Sequence, residues 1–180
     1  NLRVSEVQND KIAQFIDELT KVSGQIIRTN ATELTNKVID FLRTREVNHI
    51  HLEPNVLDES ALQGAGITVS HTPDPAISVG VTKAVCGLAD TGSILIVDGD
   101  GNPLQASLLT EIHIAILRES DIVPSLADAV HLTRDSKAAV FITGPSRTGD
   151  IEMSHTIGVH GPGKVQVFLV HRTASTLVDG

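Results

Sequence analysis

A chain of 180 residues with 41% hydrophobic and 20% charged side chains can bury a sizeable core and is too apolar to stay disordered. Aromatic residues make up 2%, with no Trp or Tyr, so the core is aliphatic and the stacking platforms of single-stranded nucleic-acid binding are missing. Lys and Arg total 14 against 22 Asp and Glu, a net charge of −8 without any basic run, which argues against a nucleic-acid partner.

From Asn9 to Val22, the residues Ile12, Phe15, Ile16, Leu19 and Val22 fall on one helical face, and Gly24 supplies a stop. Gln25 to Arg28 reads as a first core strand. Asn30 with Glu33 three residues on has the form of a capping box for a helix that carries Leu34, Val38, Phe41 and Leu42 inward. A second strand, Val47 to Leu52, is closed by Pro54. Asp58 to Gln63 forms a short helix ended by Gly64, and Gly66 leads into a third strand, ITVSH. This strand–helix alternation at short spacing predicts a mostly parallel sheet flanked by helices.

Past Pro75 the texture changes. Cys86 to Ala89 and Ser93 to Val97 are β-type runs divided by Asp90-Thr91-Gly92, the signature of an inserted antiparallel hairpin. Asp98 to Pro103 is a turn, Glu111 to Arg118 a strand, and Val123 to Leu132 a helix entered through Pro124. Two last strands, in AAVFITG (138–144) and KVQVFLV (164–170), enclose a segment dense in Gly, Pro, Ser, Thr, Arg, Asp, Glu and His. Ligands of open α/β sheets sit beyond the carboxyl ends of strands, and the position after Thr143 is expected to be such an end. One domain over residues 1–180 is expected, since no linker or repeat divides the chain.

Cys86, the only cysteine, forms no internal disulfide and cannot hold an iron–sulfur cluster alone; set among apolar residues, it reads as buried and inert. No apolar run reaches the roughly 20 residues of a membrane helix and no signal peptide is visible, so a cytoplasmic protein is expected.

In Gly144-Pro145-Ser146-Arg147-Thr148-Gly149-Asp150-Ile151-Glu152, a strand gives way to a helical turn whose free backbone N–H groups suit an anion. Ser146 and Thr148 add hydroxyl donors, and Arg147 is suited to clamp a carboxylate or phosphate bidentately. The spacing is that of a phosphate-binding loop except that Asp150 stands where a Lys must be, which argues against nucleotide hydrolysis. The same residues also suit a plain β-to-α turn with Asp150 and Glu152 complementing a helix terminus. Alternation puts Glu111 and His113 on one strand face, and with Glu152, His155 and His160 they are candidate metal ligands. No compact ligand spacing is present, so a bound metal is disfavoured and no cofactor is expected on this chain. His160 titrates near neutrality and suits general acid or base work, or else bonds the backbone of a tight turn. Asp90 at the hairpin tip is a candidate nucleophile or base; in such turns Asp also commonly caps the backbone.

Ala89-Asp90-Thr91-Gly92-Ser93, Glu111-Ile112-His113-Ile114, and TGPSRTGDIE followed by GVHGPGKVQVFLV resemble the LUD-domain family, the lactate-utilization protein C or YkgG-like group. The resemblance runs from about Val79 to Val170, with Asp90 where members often have Glu, Gly149 where Ala is common and Thr110 where Pro is common. It implies a NagB/RpiA/CoA-transferase-like architecture and a cytosolic part in L-lactate oxidation beside iron–sulfur partner proteins. The expected ligand is a small anionic metabolite held by Thr91, Gly92, His113, Gly144, Ser146, Arg147, Thr148, Gly149 and Asp150. Asp90, Glu152 and His160 are the candidates for chemistry. Acyl-, CoA- or sugar-phosphate chemistry on a cleft carboxylate, and a non-catalytic assembly role, stay open as alternatives.

Overall fold

The computed structural model describes residues 2–145 and 161–172. Helix α1 (Leu2–Lys21) leads into β1 (Gln25–Asn30), α2 (Leu34–Thr44), β2 (His49–Leu52), α3 (Glu59–Gly64) and β3 (Thr68–Ser70). Then come β4 (Val79–Lys83), β5 (Cys86–Leu88), β6 (Ser93–Val97), α4 (Pro103–Leu108) and β7 (Ile112–Arg118). β8 (Ile122–Val123), α5 (Leu126–Ala129), β9 (Ala139–Ile142) and β10 (Lys164–His171) finish the described fold. Six strands form one all-parallel sheet in the order β1-β10-β7-β4-β2-β3. A second sheet, β8-β5-β6-β9, holds the antiparallel hairpin of β5 and β6. The predicted α/β class, a mostly parallel sheet with helices and an inserted hairpin, is the fold observed.

Central strands of a parallel sheet are covered on both faces and so need unbroken apolar runs. β7 meets that demand, with Ile112 through Leu117 all buried. Its even-numbered isoleucines face Val38, Phe41 and Leu42 of α2 and Leu62 of α3. Ala115 and Leu117 face the other way, toward Phe15 and Leu19 of α1 and Ile94 and Ile96 of β6. The far side of the second sheet, with Cys86, Leu88 and Leu95, is closed by Ala129 of α5.

Several expectations change in detail. α1 begins seven residues earlier than its apolar stripe suggests. Asn30 is the last residue of β1; its Oδ1 still accepts the Glu33 N–H at 2.9 Å, but Glu33 itself occupies the cap position of α2 without a side-chain bond. Val79–Lys83, to which the sequence assigned no element, is a strand of the central sheet. Pro103 starts a short helix instead of ending a turn. The helix expected over Val123 to Leu132 is a two-residue strand, one turn of α5 and a 3-10 turn (Val130–Thr133). Pro124 lies outside that turn, which begins at Ser125, whose backbone N–H donates to Asp128 Oδ2 at 3.1 Å. A capping box so close behind Pro124 shifts the start of the turn by one residue.

β9 departs from the sequence expectation where it bears on the site. It runs antiparallel beside β6 in the second sheet and has no place in the parallel one. The carboxyl-end rule for parallel strands therefore does not apply to the segment that follows Thr143.

Candidate functional site

The pairing of β6 with β9 sets the described part of the site. Ile94 lies opposite Ile142, so Ser93 and Thr143 meet at the strand ends. Ser93 Oγ is 2.7 Å from Thr91 Oγ1 and 2.6 Å from Thr143 Oγ1. Each hydroxyl carries one hydrogen, so Ser93 donates to at most one neighbour and accepts from the other. The chain of three hydroxyls ties the hairpin tip to the residue from which the polar segment departs. Asp90 and Thr91 are exposed at this tip while Gly92 and Ser93 are buried. The Asp90 N–H donates to the Pro124 carbonyl at 3.2 Å, leaving the carboxylate outward.

Gly92 and Gly144 both sit at φ +67°, Gly92 resting on the last turn of α1 and Gly144 on Val22 just past its end. A Cβ on Gly92 would stand 2.3 Å from the Leu19 nitrogen, and one on Gly144 2.2 Å from the Val22 carbonyl oxygen. Positive φ and backbone contact together require glycine at both positions. Asp90, Thr91, Gly92 and Gly144 are thus brought to one mouth. Ser146, Arg147, Thr148, Gly149, Asp150, Glu152, His155 and His160 lie outside the described residues.

His113 is set apart from this mouth by burial. It is fully buried in β7, with Nε2 2.7 Å from Thr82 Oγ1 and Nδ1 without a hydrogen-bond partner among the described residues. Burial lowers its pKa from 6.5 to about 3, so the ring is neutral in the folded protein at neutral pH. An unfolded chain takes up this proton below about pH 6.5 while the folded chain refuses it down to about pH 3. Stability is therefore full above pH 6.5 and falls as the pH drops through that window, by up to about 1.4 kcal/mol per pH unit from this one group. His113→Gln should flatten the slope of unfolding free energy against pH by up to one proton between pH 6.5 and 3. Chemical denaturation across that range checks it; an unchanged slope contradicts the buried neutral ring.

Glu111 precedes β7, is exposed, and contributes its carbonyl to the Lys164 N–H at 3.0 Å. It is not grouped with His113, and no set of three His, Cys, Asp or Glu residues suited to a metal occurs among the described residues. Cys86 is buried, and burial first, then the charge of Asp121, pushes its thiol up to about 11. A thiol so protonated is a poor nucleophile.

The sheet also has a carboxyl-end cleft that the segment-centred sequence reading misses. Asn55, Lys83, Ala84 and Arg118 line a cavity of about 360 Å³ beyond β2, β4 and β7. It shares Arg118 and Val170 with a neighbouring groove that includes Glu119 and His171. Arg118 is held by Asp121 (Nε to Oδ2 2.7 Å), and Glu119 takes the guanidinium of Arg28. Glu53, just past β2, accepts the Lys83 N–H at 2.7 Å, and burial raises its carboxyl pKa. The signal was the charged residue directly behind each buried run, Glu53, Lys83 and Arg118, where open parallel sheets take their ligands.

Residues 74–170 match the LUD domain. A lactate utilization protein C from Geobacillus sp. is 35% identical over 101 residues, covering 52% of this chain and 42% of that protein. The Bacillus subtilis protein of the same name is 36% identical, again over 52% of this chain and 42% of its own length. These alignments thus span about two fifths of the relatives' length. A third, from Bacillus velezensis, is 26% identical over 91% of this chain and 79% of its own. The fold matches a DUF162 family protein from Deinococcus radiodurans with a TM-score of 0.69 at 22% identity, over 91% of this chain and 98% of that one. With a match over more than half of its length, the chain belongs to the LUD-domain family.

Proposed function

We propose that this chain is a cytosolic component of L-lactate oxidation that binds a small anionic metabolite at the Gly144–Glu152 segment and works with iron–sulfur partner proteins. The kinship with proteins named lactate utilization protein C supports the pathway. The observation that carries the site is the hydroxyl chain Thr91–Ser93–Thr143, which fixes the departure point of that segment against the Asp90 tip. In this reading Arg147 clamps the anion, Ser146 and Thr148 donate hydroxyls, and Asp90, Glu152 and His160 orient the ligand or move a proton. A chain whose one cysteine is buried has no thiolate set for a cluster, so electrons pass through partners.

Titration of L-lactate and pyruvate against the purified chain tests the site. Saturable binding of one of them is expected, weakened about 10- to 100-fold in Arg147→Ala, the loss that follows from removing a charge-assisted bidentate contact. No binding of either acid, or equal binding by the variant, contradicts the anion site.

A further inference from the structure

We infer that a cavity between β2, α4 and the turn before β4, sharing no lining residue with the hairpin mouth or the carboxyl-end cleft, binds a small aliphatic primary amine as its ammonium ion. The cavity measures about 320 Å³ and is lined by His51, Asp74, Ile77, Gln105, Leu109 and Thr110 among others. Its polar side chains all offer lone pairs, and the Gln105 amide adds N–H donors beside its oxygen.

His51 is 2% exposed, and its Nε2 lies 2.6 Å from the Gly101 carbonyl oxygen. A carbonyl only accepts, so Nε2 is the protonated nitrogen of this tautomer, which places the acceptor lone pair on Nδ1. Gln105 Oε1 is buried and has no hydrogen-bond partner among the described residues. The Thr110 hydroxyl spends its single hydrogen on the Ala106 or Ile112 carbonyl, 2.7 and 3.1 Å away, and keeps a lone pair. Two backbone donors of the turn are spent as well. The Ala76 N–H goes to Asp74 Oδ1 at 2.8 Å and the Ile77 N–H to the Asp74 carbonyl at 3.0 Å. Pro73 and Pro75, which also line the cavity, have no N–H to give.

An unpaired buried acceptor costs on the order of a lost hydrogen bond, and an occupant bearing several N–H groups removes that cost. A primary ammonium has three donors and no acceptor. Asp74 adds a negative charge at the exposed rim, and Ile77 with Leu109 supplies an apolar wall for a short alkyl stem. A carboxylate or phosphate would meet the Asp74 charge and, among the lining side chains, only the Gln105 amide as a free donor.

The test uses the intact chain with n-propylammonium as probe and propionate and 1-propanol as controls, followed by methyl and histidine-ring NMR. The expected result is a saturable shift at the Ile77 and Leu109 methyls and at His51 Nδ1 with n-propylammonium alone. Asp74→Asn keeps the oxygen that accepts from Ala76 but drops the charge, and Gln105→Met keeps the shape but drops the acceptor. Each should weaken the probe about tenfold or more. Because both residues lie outside the fully buried core, these variants are expected to fold, which their unperturbed methyl spectra would verify. No saturable shift, which would mean that the cavity holds water only, overturns the proposal. So does binding of propionate or propanol as tight as the ammonium, or binding indifferent to both substitutions.

Discussion

Gly80→Val should be strongly destabilising. Gly80 lies in β4 between His51 of β2 and His113 of β7, and α4 crosses directly over it. A Cβ there would stand 1.8 Å from the Ala106 carbonyl oxygen and 2.6 Å from its carbon. These are backbone atoms of a helix, so no rotamer change relieves the overlap. Overpacking in a core ordinarily costs about 1–3 kcal/mol, and displacing a helix from a central strand belongs at or beyond the upper end. Against a total stability of about 5–15 kcal/mol, such a loss lowers the melting temperature by roughly 6–12 °C or abolishes folding. Thermal unfolding followed by circular dichroism reads this directly. A variant melting within 2 °C or so of the parent would show that α4 does not sit on Gly80.

Gly92→Ala should be nearly as damaging, and it reaches the site. The residue holds φ +67°, and an added Cβ meets the Leu19 nitrogen at 2.3 Å and the Glu18 carbonyl carbon at 2.6 Å. The left-handed conformation costs an L-residue about 1–2 kcal/mol before any contact is counted. The steric contact adds about 1–3 kcal/mol more unless the tip lifts away from α1. A lifted tip separates Thr91 and Ser93 from Thr143, so metabolite binding should fall along with stability. Gly99 offers the matched control, since it lies in open space without a positive φ, and Gly99→Ala should behave as the parent. Equal melting curves for the two variants would contradict the packing of the tip on α1.

The contrast between these glycines shows what a sequence can and cannot disclose. Asp90-Thr91-Gly92 between two β-type runs announces a hairpin because turn chemistry is local, and the hairpin is there. That its tip adjoins Thr143 depends on β6 pairing with β9, some fifty residues apart, which no periodicity encodes. For the same reason the apolar run of β9 reads as another central strand; buried strands look alike whichever sheet they join. Val79 to Leu88 hides the boundary between β4 and β5 because no Gly or Pro marks the crossing at Ala84 and Val85. At six residues α4 is too short to show an amphipathic period, although Pro103 at its first turn is a start signal. The capping box at Ser125 and Asp128 is likewise written in the sequence and outranks Pro124 as the start of the next turn. His113 on an alternating strand face reads as a site residue, whereas burial from both sides makes it a neutral core group.

Lactate oxidation is the claim on which the functional account rests, and growth of a strain from which the gene has been deleted tests it most directly. With L-lactate as the sole carbon source the deletion strain should fail to grow, while its growth on glucose matches the parent and a plasmid copy restores growth on lactate. Undiminished growth of the deletion strain on L-lactate would contradict the account.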